Sequence, residues 1–127
     1  MADRIFYPVQ ALNPHLKIIA GSFEPAGTGV PINVKGQGFA ITREAQGKFV
    51  VTLTDRYNSL LSATATPQLG DAVDDVICVI GLADVSSAKT VVIWVGGATD
   101  TFSAIDYESS TVRINFCFML ANASYSI

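Results

Sequence analysis

Residues 111–120 read Thr-Val-Arg-Ile-Asn-Phe-Cys-Phe-Met-Leu. Read alternately, Val112, Ile114, Phe116, Phe118 and Leu120 fall on one side, and Arg113, Asn115, Cys117 and Met119 on the other. A strand turns its side chains by about 180° per residue, so these five large apolar groups stack on one face. A helix would scatter them around its axis. The segment therefore predicts a β-strand with one face in a core.

The same alternation extends outward. In residues 48–54, Phe49, Val51 and Leu53 oppose Val50, Thr52 and Thr54; in residues 38–43, Phe39 and Ile41 oppose Ala40 and Thr42. The connection Glu44-Ala45-Gln46-Gly47, with glycine near its end, makes these two runs a predicted hairpin. Residues 60–66 alternate again, with Leu61, Ala63 and Ala65 against Ser62, Thr64 and Thr66. Residues 16–22 read as a further strand. Residues 75–82 and 90–95 are continuously apolar and β-branched, a pattern that suits strands covered on both faces. No window carries a helical period, and only residues 55–61 admit a helical turn. About seven strands, with turn signals roughly every ten residues, predict an all-β fold: a single antiparallel β-sandwich or jelly-roll-like barrel.

Four of the five prolines, Pro8, Pro14, Pro25 and Pro31, lie near the N-terminus. Proline cannot donate to a sheet ladder and restricts the residue before it. Residues 1–13 accordingly read as an extended N-terminal arm, with the β-sandwich over residues 14–127, the whole chain forming one domain. Residues 24–37 (EPAGTGVPINVKGQ) and 67–74 read as loops, and residues 98–110 as a polar connection.

The chain has 127 residues, of which 50% are hydrophobic and 15% charged. Average soluble domains carry about 25% charged residues, so this one is short of charge. It holds too much apolar material for a disordered chain. Its apolar runs, residues 76–83 and 91–98, fall well short of the about 20 residues of a spanning helix, and no membrane partner is expected. A net charge of −3 argues against direct nucleic-acid binding. Residues 1–63 hold six Lys/Arg against four Asp/Glu, and residues 64–127 two against seven. Such halves attract each other within one fold or between subunits. Scarce charge beside surplus apolar surface suits a subunit partly covered by other copies of itself.

No constellation for catalysis emerges. His15, the one histidine, lies between Pro14 and Leu16 without an evident orienting partner. Cys78 and Cys117 have no metal-ligand spacing and read as free, buried thiols. Gly27-Thr28-Gly29 runs into Val30-Pro31 rather than the Gly-Lys-Ser/Thr of a phosphate loop. Asp71, Asp74 and Asp75 match no calcium-loop spacing. No catalytic residue, cofactor site or metal site is therefore assigned. Aromatic residues near chain ends usually fray into water unless they dock on something, which makes Phe6, Tyr7 and Tyr125 the candidate interface residues. Trp94 and Tyr107 are the stacking candidates for a carbohydrate-binding module, although Trp94, between Ile93 and Val95, reads as core. With no apolar leader after Met1-Ala2-Asp3-Arg4, synthesis in a reducing cytosol is expected.

Several stretches resemble the small virion structural proteins of tailed bacteriophages known as head-decoration or capsid cement proteins. They are Arg4-Ile5-Phe6-Tyr7-Pro8-Val9, Lys17-Ile18-Ile19-Ala20-Gly21-Ser22-Phe23, Gly38-Phe39-Ala40-Ile41, the block from Gly47 through Tyr57, Leu60-Leu61-Ser62-Ala63-Thr64-Ala65-Thr66, and Arg113-Ile114-Asn115-Phe116 with Asn122-Ala123-Ser124. The similarity is one of pattern, spans nearly the whole chain and is weakest over residues 71–110. It implies a non-enzymatic, all-β subunit, made in the bacterial cytoplasm, that assembles as a homo-oligomer, with a trimer favoured. Such a subunit sits on the outside of a capsid built from an HK97-type major capsid protein, bridging capsomers. A tail or baseplate component of the same kind of virion is the neighbouring alternative.

Overall fold

The computed structural model describes residues 16–69, 75–98, 101–108 and 112–121. Among these residues there is no helix, and nine strands follow in order: β1 (Leu16–Glu24), β2 (Ile32–Gly36), β3 (Phe39–Ala45), β4 (Lys48–Leu53), β5 (Ser59–Leu69), β6 (Ile77–Asp84), β7 (Thr90–Ala98), β8 (Phe102–Ala104) and β9 (Val112–Ala121). They make two sheets, β2-β1-β9-β5 and β3-β4-β7-β6, with β8 attached to β7. Every pairing is antiparallel. The all-β reading holds, and the two-sheet sandwich is the form it takes.

The alternation in the last strand is what builds the core. β9 lies between β1 and β5, with Phe118 opposite both Ile19 and Ala63. Val112, Ile114, Phe116, Phe118 and Leu120 are buried, whereas Met119 is exposed and Arg113, Asn115 and Cys117 half-buried. β4 and β7 supply the facing layer through Phe49, Val51, Leu53, Val91, Ile93 and Val95. The layers meet where the rings of Phe23 (β1) and Phe49 (β4) stand 5.0 Å apart between centroids. At the β2–β3 side, the Phe39 ring stands edge-on to Phe116 at 4.9 Å. It also lies over the paired Gly21 and Gly36, where a Cβ on Gly36 would come within 2.7 Å of the ring. An aromatic ring laid across a glycine pair covers backbone that side chains would otherwise shield.

The predicted β3–β4 hairpin is present. Ala45 pairs with Lys48 across Gln46 and Gly47, and Gly47 adopts φ 64°, where glycine meets little strain. Two ion pairs join one half of the chain to the other: Arg43 with Asp106, which follows the charge asymmetry, and Arg113 with Glu24, which runs against it.

Five local expectations are corrected. The strands number nine among the described residues rather than about seven. One extra strand, β2, lies inside the segment read as the 24–37 loop; the other, β8, lies inside the polar 98–110 connection. Residues 55–61 form no helical turn: the amide of Tyr57 donates to Val85 O at 3.0 Å and that of Asn58 to Ala121 O at 2.8 Å, leading straight into β5. β5 continues through Pro67 to Leu69, which an edge strand tolerates because the missing N–H need not face a partner. β6, expected to be covered on both faces, is an edge strand with Val79 exposed and Leu82 81% exposed. Only the central β7 approaches the doubly covered pattern, with Val91, Ile93 and Val95 facing the core and Val92 buried on the other side.

Candidate interaction surface

Cross-strand register places Lys48, Trp94 and Val79 side by side across β4, β7 and β6. Ile93 and Val95, on either side of Trp94, are fully buried in the core, so period-two alternation turns Trp94 to the outer face. Two residues along β7, Gly96 pairs with Ile77 on one side and Ala104 on the other. β8 therefore continues the row of β4. With no side chain at Gly96, a hollow remains between the strands. The result is an open groove of about 420 Å³ lined by Val79, Trp94, Phe102 and Ala104, within the size range of small-molecule sites.

Two contacts set the tryptophan. The indole leans over Gly81, where an added Cβ would fall 2.9 Å from Nε1. Lys48 Nζ stands 5.5 Å from the ring centroid and 3.0 Å from Glu44 Oε1, a cation–π arrangement shared with an ion pair.

The β8 wall is clasped from behind. Arg43 Nε and the Gly47 amide donate to Asp106 Oδ1 at 3.1 and 2.9 Å, and Arg43 Nη2 donates to Oδ2 at 2.7 Å. The Arg43 hydrogen bonds, helped by the Gly47 amide and the guanidinium charge and opposed by desolvation, hold the Asp106 carboxyl below its usual range. The Ile105 amide donates to Val95 O at 3.1 Å, closing the same corner.

Apolar groups also stand in solvent elsewhere. Along the β2 edge these are Val30 (71% exposed), Ile32 and Val34. On the outer face of the other sheet they are Leu61 and the directly paired Ile18 and Met119. That face is otherwise polar. Arg113 donates from Nε and Nη2 to Ser22 Oγ, from Nη1 to Glu24 Oε1 and from Nη2 to Asn33 O, at 2.8 to 3.2 Å. Asn33 Nδ2 completes the network on Glu24 Oε2 at 2.7 Å.

Phe6, Tyr7 and Tyr125 lie outside the described residues, as do His15, Asp71 and Asp74. Trp94, read as core, lines the groove instead: the continuous apolar run concealed that its own alternation places it opposite Ile93 and Val95. Tyr107 is not part of that groove; it packs against the core, and its carbonyl accepts from the Gly27 amide at 2.9 Å. Val79 and Phe102 approach Trp94 only through pairing across β6, β7 and β8, which adjacent residues in the sequence do not display. Cys78 and Cys117 are free but half-buried rather than buried. Cys78 pairs with Val95 and faces the core, where desolvation pushes its thiol up to about 11. Among the described residues, no group of three or more His, Cys, Asp or Glu is placed to hold a metal ion, and no helix is long and apolar enough to cross a membrane.

No protein-family model, curated protein or solved structure matches the chain at a significant level.

Proposed function

We propose that this chain is a non-enzymatic virion structural protein that binds the outside of a bacteriophage capsid and stabilises it by bridging capsomers. The observation that carries the reading is the placement of apolar side chains in solvent on the β2 edge and on both outer sheet faces. Contact of this kind works through area and shape, and exposed apolar patches mark interaction surfaces. The sequence resemblance to capsid cement proteins supplies the partners: other copies of the chain, with a trimer favoured, and an HK97-type major capsid protein. The test is co-sedimentation with purified capsids, alongside light scattering of the free protein. Retention on capsids and a higher temperature of shell rupture are expected. A dilution-resistant monomer that ignores capsids would refute the proposal. Electron microscopy of labelled virions separates capsid from tail: density on the tail would favour the baseplate alternative.

One observation favours a second reading. Trp94 stands in an open groove, the position an aromatic platform for a sugar ring requires. Glycan-array binding that disappears in a folded Trp94→Ala variant would establish a carbohydrate-binding module; a blank array would remove it.

A further inference from the structure

We infer that the extra residue carried by each edge strand blocks the sandwich from growing by strand addition, and that at β2 this block is held shut by Arg113. Contacts with other copies then run through side chains rather than backbone ladders, a point beyond the proposed capsid contact.

Among the described residues the two sheets end on β2, β5, β3 and β6, with the short β8 beside β7. Each of these edge strands has one residue more than the neighbour it pairs with. Asn33 and Val34 of β2 stand against Phe23 alone. Glu44 of β3 has no cross-strand partner between Arg43 and Ala45. Leu61 of β5 has none between Leu60 and Ser62. Gly81 and Leu82 of β6 stand against Val92 alone. The interior pairings keep their register throughout, from Leu16 to Phe23 along β9 and from Lys48 to Thr52 along β7. The irregularities thus fall in the strands with an open side, and the extra residue is on the open strand each time. A bulge bends its strand and takes backbone groups out of line, which spoils the edge as a template for another chain.

The block matters most at β2. Val30, Ile32 and Val34 are exposed there, and an exposed apolar edge invites pairing. Side chains fix this bulge. Asn33 takes φ 51°, a left-handed conformation that asparagine tolerates better than most residues. Arg113 reaches from β9 across β1 to the Asn33 carbonyl at 3.0 Å. Glu24 accepts from Arg113 at 3.2 Å and from the Asn33 side chain at 2.7 Å. The Asn33 carbonyl is therefore engaged on the outer face of the sheet rather than offered to an incoming strand.

The experiment follows mass by light scattering, and thioflavin T fluorescence, during incubation of the full chain and its variants. Deleting Asn33 gives β2 a one-to-one register with Ser22, Phe23 and Glu24. That variant should grow to roughly twice its starting mass or more, since pairing one copy with another doubles it. Thioflavin fluorescence should rise as strands stack. Val34→Lys in the deletion background should abolish both, because an edge lysine opposes pairing. Arg113→Met keeps the chain length, removes the latch and should give the same growth more slowly. Wild type should hold its starting mass. Three results would each overturn the inference: wild type growing as fast as the deletion variant, a deletion variant with wild-type circular dichroism that keeps its starting mass, or growth that Val34→Lys leaves unchanged. If the deletion variant does not fold, Arg113→Met decides, and an unchanged mass overturns the inference. Capsid binding by wild type stands or falls separately, by co-sedimentation.

Discussion

Arg43 and Asp106 lie 63 residues apart in sequence and meet through both carboxylate oxygens, at 3.1 and 2.7 Å. The pair joins the β3–β4 hairpin to the segment after β8, so it fixes one wall of the groove as well as the corner of the sheet.

Asp106→Asn should therefore destabilise the fold by about 1 kcal/mol at pH 7, a modest figure because the pair is partly solvated. The Asp106 carboxyl is held below its ordinary value in the folded state, chiefly by the Arg43 hydrogen bonds. Its contribution is thus complete above the unfolded carboxyl pKa of about 3.9 and fades as pH falls through the lower folded value. Urea titrations should show wild type and variant separated at pH 7 and converging in stronger acid.

Gly21→Ala should cost about 1–3 kcal/mol, the range for overpacking a filled site. The new methyl would strike the Phe39 ring, with the carbonyl of Lys35 2.7 Å away on the other side. In a Phe39→Ala background the same substitution should cost less. A thermodynamic cycle measures that coupling, and strict additivity would mean the ring does not set the limit.

Phe49→Ala should cost about 3–5 kcal/mol. Phe49 is fully buried and holds the inter-sheet contact with Phe23. Far-UV circular dichroism in urea should show a large drop in midpoint. If Val50→Ala, on the outer face, cost as much, burial would not be the cause.

Cys78 should be slow to alkylate. Its thiol is pushed up to about 11 by desolvation, and the thiolate is the reactive form. In a Cys117→Ser background at pH 8, iodoacetamide should label the folded protein about tenfold or more slowly than the urea-unfolded chain. Equal rates would show that the thiol is not desolvated.

Strand identity was legible where burial alternates. β9 and the β3–β4 hairpin follow directly from Val112 to Leu120 and from Phe39 to Leu53. β2 was hidden because Ile32 through Gly36 are all exposed, so no buried-face rhythm exists, while Pro31 and Gly36 read as loop. β6 departs from its pattern for a different reason. An apolar, β-branched run looks the same whether its outer face is covered or bare, and only the sheet order shows that β6 is an edge. The groove was less legible still. Trp94 stands out in the sequence as the single tryptophan, whereas Val79, Phe102 and Ala104 come together through pairings between distant segments.

The place of β9 also bears on how the chain emerges from the ribosome. β1–β2 and β5 have no strand between them until residues 112–121 exist, because β9 alone joins them. The strands of the other sheet, residues 39–104, are all made earlier. Until β9 is made, Phe49, Val51, Ile93 and Val95 lack the facing layer of Ile114, Phe116 and Phe118, and exposed apolar surface of that kind is prone to misassociation. A chain stopped before Val112 would lose more than its last strand: β1 and β2 could still pair, but β5 would be left without its partner in that sheet.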